Sequence, residues 1–361
     1  MKIQSKVKDY SVEMIDGLLE KRDEIFSNLK YNQLFYFVDS DVYKIYQERL
    51  KRFICDDFYF LIDALEANKE YENLADYYKI LIENNFKRDD ILVAIGGGIL
   101  QDISGFIAST LYRGIKWVFF PTTLLSQADS CIGSKTSINF ADSKNLIGSF
   151  YPPDKVFIDI SFCSTLTPEY FNSGLGEIIK FHLLSDEKGY NLLKKYLSSP
   201  DLSSGEIFKE IIWSTLQIKK SYFKEDEFDT GRRNLLNYGH CFGHALESAS
   251  DFEVCHGEAV LVGMGFANLL SLKRGIMKRE KYVEFENIFR KYYPRFDISK
   301  ISVEDIIHYL KRDKKRVGKD LTMILSEDIG KHFKFNDITE KEIIETFNEF
   351  VKNYPLVKEG N

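Results

Sequence analysis

Apolar residues in the first half of the chain fall into short runs at 34–38, 58–62, 91–95, 117–120 and 156–160. Each run has strand length and is rich in β-branched or aromatic residues. Between some of them the pattern turns helical, as at 71–85. This alternation predicts an α/β domain, a parallel sheet covered by helices. The character changes at Thr167-Pro168-Glu169, where Pro168 suits the first turn of a new helix. Beyond it, long segments at 206–223, 234–249, 258–274, 279–292 and 340–353 carry helical periodicity, and 321–325 is the main strand-like exception. The pattern predicts an α/β domain over 1–168 and a mostly α-helical domain over 169–361.

Composition narrows the function classes. A chain of 361 residues with 44% hydrophobic residues is long enough for two domains with real cores. Its net charge of −6 argues against a nucleic-acid protein, which would carry a basic excess. It does not bar small anionic substrates, because local lysines decide their binding. Cys55, Cys131, Cys163, Cys241 and Cys255 are irregularly spaced and form no CxxC pair. A reducing compartment therefore fits better than a disulfide framework. The first residues are polar and charged, with no signal-peptide pattern, and no apolar run has the length of a membrane span. The expected location is the cytoplasm, with no membrane partner.

Four segments carry candidate chemistry. In the first, the apolar run 91–95 enters Gly96, Gly97 and Gly98 and then a helical pattern containing Gln101 and Asp102. Glycines let a backbone approach a ligand, and a helix start offers free N–H groups, so this turn suits a pyrophosphate. By itself it also fits a plain tight strand–helix turn. The second segment runs from Asp129 through Ser134 and Lys135 to Lys144 and Asn145, in glycine-punctuated chain expected to be irregular. Lysine and asparagine there can bind phosphate or carboxylate oxygens. Solvated loop lysines, or a plain surface cation at Arg113, fit equally well. In the third, Glu177 and Lys180 are three apart and share a helical face, as metal or substrate groups or as an ordinary ion pair.

The fourth segment is the sharpest. It holds Arg233, Asn237, His240 and His244, followed by His256, and so contains three of the chain's six histidines. Four- and three-residue spacings place Arg233, Asn237, His240 and His244 on one expected helical face. Imidazoles with one carboxylate make an open zinc site. Spacing makes His240 and His244 a possible ligand pair, and it leaves open which of the three histidines is not a ligand. His308 and His332 stand apart and receive no role.

In their order along the chain, the blocks GGGxxxD, YRG, PTTLL, DSxxGxKTxxN, KNLIGxFYPP, SGLxEIIK, RNLLNxGHxFGHAxE and HGEAV resemble 3-dehydroquinate synthase and its sugar-phosphate cyclase relatives. The resemblance covers roughly residues 39–315. It implies a Rossmann-like N-terminal domain, a helical C-terminal domain, an active site in the cleft between them, and a homodimer. It implies NAD and a divalent metal, Zn2+ or Co2+, held by Glu177, His240 and His256, with His244 at the substrate. Lys135, Lys144, Asn145, Lys180, Lys219, Arg233, Asn237 and Lys315 match positions that contact substrate, with Arg113 and Asp129 nearby. Asp39, Glu66, Lys69, Gly96, Gly97, Gly98, Asp102, Thr122, Thr123 and Thr165 match the cofactor side, with Lys135 and Lys144 shared between the two.

The implied reaction takes a seven-carbon sugar-acid phosphate. Its C4 carbinol is oxidised by NAD, phosphate leaves by β-elimination, the hydride returns, and ring opening with an intramolecular aldol step closes the carbocycle. The metal would act as a Lewis acid on substrate oxygens, and the lysines and arginine would hold the anionic groups. Four positions depart from the family pattern: Gln101 for glycine, Ser134 for the second glycine of GGKT, Gly176 for alanine, and Asp229 for glutamate. They leave a second reading open, a sister cyclase acting on another sugar phosphate such as sedoheptulose 7-phosphate. A metal-dependent polyol dehydrogenase would need no lysine array, and an inactive scaffold fits poorly with intact Glu/His/His and lysine sets.

Overall fold

The computed structural model describes residues 1–141, 143–312 and 321–354. The chain divides into two units, Met1–Leu166 with Ser203–Lys209, and Thr167–Leu202 with the chain from Glu210 onward. The apolar runs of the first half become strands because both faces of their sheet are covered. In chain order the strands are β1 (Lys2–Ile3) and β2 (Tyr10–Met14), which no apolar run announced, then β3 (Leu34–Asp39), β4 (Phe58–Ile62), β5 (Ile91–Gly96), β6 (Lys116–Pro121) and, after a small hairpin of β7 (Ile138–Phe140) and β8 (Ser143–Ile147), β9 (Lys155–Ile158). The seven-stranded order is β1-β2-β9-β6-β5-β3-β4, parallel throughout except at β1.

Every residue of β5 is buried, as expected of a central parallel strand with helices on both faces. On one face Tyr36, Val38, Val93, Ile95, Val118, Phe120 and Phe157 pack with Leu50, Phe53 and Ile54 of α2 (Ser40–Ile54) and Phe26 of α1 (Arg22–Phe26). On the other face lie α3 (Leu74–Glu83) and α4 (Gly98–Thr110). There Phe37 meets the Tyr77 ring at 6.1 Å, and Gly105 of α4 leaves room for the Trp117 indole. The strand order reverses between β3 and β5, so the carboxyl ends of these two strands form the crevice where open α/β sheets bind ligands.

The second unit is helical: α5 (Pro168–Leu183), α6 (Glu187–Leu197), α7 (Gly205–Glu225, whose first turns belong to the first unit), α8 (His240–Ala249), α9 (His256–Lys273), α10 (Arg279–Phe289), α11 (Val303–Arg312) and α12 (Glu340–Asn353). Pro168 opens α5 and Thr167 caps it, accepting a hydrogen bond from the Tyr170 N–H. In α9 every residue from Gly257 to Ser271 is buried, so this helix has no solvent face over that stretch and forms the centre of the unit.

Three expectations need correction. Residues 234–249 are not one helix. A 3-10 turn (Arg232–Asn237) is followed by Gly239 with φ 80°, and α8 begins only at His240. Arg233 and Asn237 therefore do not share a helical face with His240 and His244. Second, the strand at 321–325 extends as β10 (Leu321–Asp328) and pairs with β11 (Lys331–Ile338), whose largely exposed, polar sequence hid it. Third, the chain from Asp129 to Asn145, expected to be irregular, contains the end of a π-helical turn (Ser126–Ser130) and the β7–β8 hairpin.

Candidate active site

In the first unit, the crevice at the strand-order reversal gathers most of the expected cofactor-side residues. Asp39 ends β3 and caps α2 by accepting from the N–H groups of Asp41 and Val42. Burial pushes its carboxyl up despite these two donors. A Cβ on Gly96 would stand 3.2 Å from Asp39 Cβ and 2.6 Å from Leu100, and one on Gly97 would stand 3.0 Å from Thr123. Gly98 differs, because among the described residues a Cβ there would meet nothing closer than Ser130 Oγ at 4.0 Å. The first turn of α4 thus opens onto free space with its helix-start N–H groups. Nearby, Thr122 is buried and its hydroxyl has no hydrogen-bond partner among the described residues. Thr123 exchanges hydrogen bonds with Ser126, and Thr165 meets the Tyr46 hydroxyl at 3.0 Å.

Beside this turn, Lys69 donates to Asp102 Oδ2 and to Asn145 Oδ1, both at 2.7 Å. Lys69 is buried; burial pushes the Asp102 carboxyl up against the pull of Lys69. Glu66 accepts from Asn139 at 2.8 Å and lies 3.9 Å from Lys144 Nζ. The hairpin β7–β8 therefore brings Lys144 and Asn145 to Glu66, Lys69 and Asp102. Gln101, the departure from glycine, fills its position with a reciprocal clamp: its Nε2 donates to Ser130 O at 2.8 Å and its Oε1 accepts from Ser130 Oγ. Asp129, next to Ser130, is half-buried, and Lys135 is exposed. Arg113 is exposed on a left-handed turn (φ 64°) and makes no ion pair among the described residues.

In the second unit, α5, α8 and the start of α9 bring Glu177, His240, His244 and His256 together. Glu177 is fully buried. Neither of its oxygens accepts a hydrogen bond among the described residues; Oε2 is held by an ion pair with Lys180, also buried, and Oε1 faces two imidazoles. That orphan oxygen lies 3.7 Å from His240 Nε2 and 3.6 Å from His256 Nε2. A four-coordinate ion with bonds of ~2.0–2.2 Å sets its ligand atoms roughly 3.3–3.6 Å apart, close to both of these separations. The far ring nitrogens are already engaged, His256 Nδ1 with Glu247 Oε1 at 3.1 Å and His240 Nδ1 with Tyr238 O at 3.3 Å. Such outer partners fix the tautomer that leaves Nε2 free to ligate. His244 is exposed; its ring lies 5.3 Å from His240 and 5.6 Å from His256, and one nitrogen from each of the three histidines falls within 4.8 Å of the others.

Electrostatics separates the histidines. Burial, together with Lys180 and the neighbouring imidazoles, holds His240 well below its ordinary pKa and so neutral. Burial also opposes a charge on His256, but Glu247 and Glu177 outweigh it and raise its pKa to about 9. The remaining candidates are placed by α7 and the chain after it. Lys219 is buried on α7. Arg233 is buried, donates to Glu227 O and lies over the Phe223 ring at 5.4 Å. Asn237 donates to Asn234 O at 2.9 Å. Lys315 lies outside the described residues.

Two residues of this unit received no role from the sequence. Glu247 follows His240 by seven positions, a spacing that puts both on one helical face, and this was the available signal. Asp226 carried only a turn signal, an acid shortly before Thr230-Gly231. Its carboxylate accepts from the backbone N–H groups of Thr230 at 2.9 Å, Gly231 at 2.7 Å and Arg233 at 3.1 Å. It thereby shapes the loop that presents Arg233.

Across nearly its whole length the chain has the fold of a sugar-phosphate cyclase. The 2-epi-5-epi-valiolone synthase ValA from Streptomyces hygroscopicus subsp. jinggangensis 5008, solved with NAD+ and Zn2+ bound, superposes with a TM-score of 0.86 at 26% identity, covering 98% of this chain and 99% of that one. Within that class, the family models described as 3-dehydroquinate synthase N-terminal and C-terminal match residues 59–173 and 174–316. The 3-dehydroquinate synthase of Clostridium tetani is 35% identical over 345 residues, 93% of this chain and 91% of that protein. That of Dictyoglomus thermophilum is 34% identical over 348 residues, covering 95% and 96%. The chain belongs to the 3-dehydroquinate synthase family.

The loop held by Asp226 gives a pH-dependent prediction. Burial opposes its ionisation, but the backbone donors outweigh burial and hold its carboxyl at about 2. Its folded pKa is therefore below the ordinary ~3.9 of a free aspartate, so its contribution is complete above about pH 4 and is lost as pH falls towards 2. Asp226→Asn should weaken the loop by about 2 kcal/mol near neutrality. Faster hydrogen exchange at the Thr230 and Gly231 amides near neutrality, with the difference from wild type shrinking below pH 4, is the expected result.

Proposed function

We propose that this chain is a 3-dehydroquinate synthase, converting 3-deoxy-D-arabino-heptulosonate 7-phosphate to 3-dehydroquinate and phosphate. The observation that carries the reading is the buried, orphaned oxygen of Glu177 facing two oriented imidazoles, in a chain 35% identical to such a synthase. The alternatives within the fold, a sister cyclase for a neutral sugar phosphate or a polyol dehydrogenase, make less use of a buried Arg233 and the lysine set. The region 1–168 is assigned to NAD and 169–361 to metal and substrate. The acidic chain, with no helix among the described residues long and apolar enough to cross a membrane, fits a cytoplasmic enzyme. Family resemblance supports a homodimer.

In this reading Glu177, His240 and His256 hold the divalent ion and Glu247 orients His256. Bound NAD and metal would supply a reversible hydride acceptor and a Lewis acid for substrate oxygens. The open first turn of α4 receives the pyrophosphate through backbone N–H groups, with the Thr122 hydroxyl and Asp39 beside it. Lys135, Lys144, Asn145, Lys180, Lys219 and Asn237 bind and orient the anionic substrate. Arg233, held by Glu227 O and Phe223, offers a fixed guanidinium to the substrate carboxylate. His244, exposed beside the other two imidazoles, is placed to give or take a proton at a substrate oxygen. Leaving Arg233 without a carboxylate in a partly desolvated setting would be costly, which favours the acid substrate over neutral sugars.

Purified protein with trace NAD and zinc should release phosphate from the seven-carbon keto-acid phosphate over many turnovers, with no net NADH. Stoichiometric NADH accumulation without phosphate release would move the assignment to a dehydrogenase. His256→Ala should abolish turnover and leave the protein with little bound metal; full metal occupancy in that variant would show that the ligand set is wrong. Arg233→Ala should weaken kcat/KM for the acid substrate by roughly 1.5–3 kcal/mol, with a smaller effect on sedoheptulose 7-phosphate or glucose 6-phosphate. A wild-type preference for either neutral sugar would favour a sister cyclase.

A further inference from the structure

Glu177 and His256 come from two helices whose backbones touch one residue away from each of them. A Cβ on Gly176 of α5 would stand 2.1 Å from the carbonyl oxygen of Gly257, and one on Gly257 of α9 would stand 1.7 Å from that of Ser173. The same crossing is pinned by a buried hydrogen bond from the Gly257 N–H to Ser173 Oγ at 3.0 Å. Neither glycine has a positive φ. The neighbouring backbone, not the glycine's own conformation, is what excludes a side chain. An alanine at 176 could not sit here without moving a helix.

The geometry points to Gly176 as a positioning residue for the metal, one that sets the separation of Glu177 from His256 and so the size of ion the site accepts. This rests on the metal reading given above. Restoring ordinary contact around an added Cβ needs the helices to part by on the order of 1 Å, whereas ligand distances tolerate only about ±0.2 Å. The displacement falls on one ligand. His240 is located against α9 by a separate contact, in which a Cβ on Gly263 would stand 2.0 Å from Gly239 O. Gly176→Ala therefore draws the carboxylate away while the His240–His256 pair stays.

The test uses full-length protein stripped of metal, with zinc, cadmium and cobalt(II) as probes. Zinc and cadmium affinities are measured by competition with a chromogenic chelator, the cobalt site by its visible absorption, and folding by circular dichroism. Gly176→Ala should bind zinc at least tenfold more weakly, shift the zinc-to-cadmium preference towards the larger ion, and alter the cobalt bands. Ser173→Ala, which removes only the pinning hydrogen bond, should change all three in the same direction by less, and it decides the matter if Gly176→Ala does not fold. Wild-type protein that takes up no ion, or whose uptake ignores Glu177→Ala, overturns the metal reading itself. If wild type binds through Glu177 but the deciding variant keeps its zinc affinity, ion preference and cobalt spectrum, the positioning role is overturned, whatever happens to its melting temperature.

Discussion

Contact between backbones at glycine is the constraint on which the helical unit depends. Helices α5 and α8 both pack on α9 at points where no side chain intervenes, Gly176 against Gly257 and Gly239 against Gly263. Helix axes with ordinary side chains between them stand 8–10 Å apart. Removing those side chains is what lets short groups such as a glutamate and two imidazoles converge on one point. Helix α9 is buried on every side because α10, α12 and β10 pack on it as well as α5 and α8.

That convergence carries an electrostatic cost that the surroundings offset unevenly. A fully buried carboxylate is unfavourable unless it is paired. Lys180 pairs with one oxygen of Glu177, and the other faces His240 and His256 at 3.7 and 3.6 Å with no hydrogen bond among the described residues. Beside it His240 is held neutral, while His256 is pulled towards the charged form by Glu247 and Glu177. A divalent ion would take the place of the His256 proton, facing the Glu177 oxygen and the lone pairs of the two imidazoles. Glu247 has two effects: it fixes the His256 ring and adds to the negative charge around the site.

The α/β unit solves a different problem. At the reversal of strand order, glycines 96 and 97 are required by close neighbours, whereas Gly98 leaves space for something outside the chain. Next to that space the buried Lys69 is satisfied by Asp102 and Asn145, so the hairpin β7–β8 is tied to the start of α4 by charge-assisted hydrogen bonds. Gln101 adds a second tie through Ser130. A glycine at 101 could make neither of its bonds, so this departure from the family pattern is a structural brace between α4 and the Ser126–Ser130 turn.

Much of this was legible from local pattern. Five of the nine strands described in the first half, the helical second half, the glycine turn after β5, the Glu177–Lys180 face and the clustering of three histidines all follow from periodicity and spacing, because each is a property of a few neighbouring residues. What failed to show was non-local. The break at Gly239 looked like uninterrupted helix, since its left-handed backbone and its closeness to Val260 are imposed by α9, a segment distant in sequence. The strand β11 has too polar a pattern to announce itself and exists because β10 pairs with it. Spacing favoured His240 with His244 as a ligand pair, yet the burial of Glu177 and the start of α9 aim its orphan oxygen at His240 and His256. Sequence alone thus determined which chemical groups this protein owns and, for Glu177, Lys180, His240 and His244, the helix that carries them. The tertiary structure decided which of them meet, because that depends on how closely two helices can approach, and a glycine records this only when its neighbour across the gap is known.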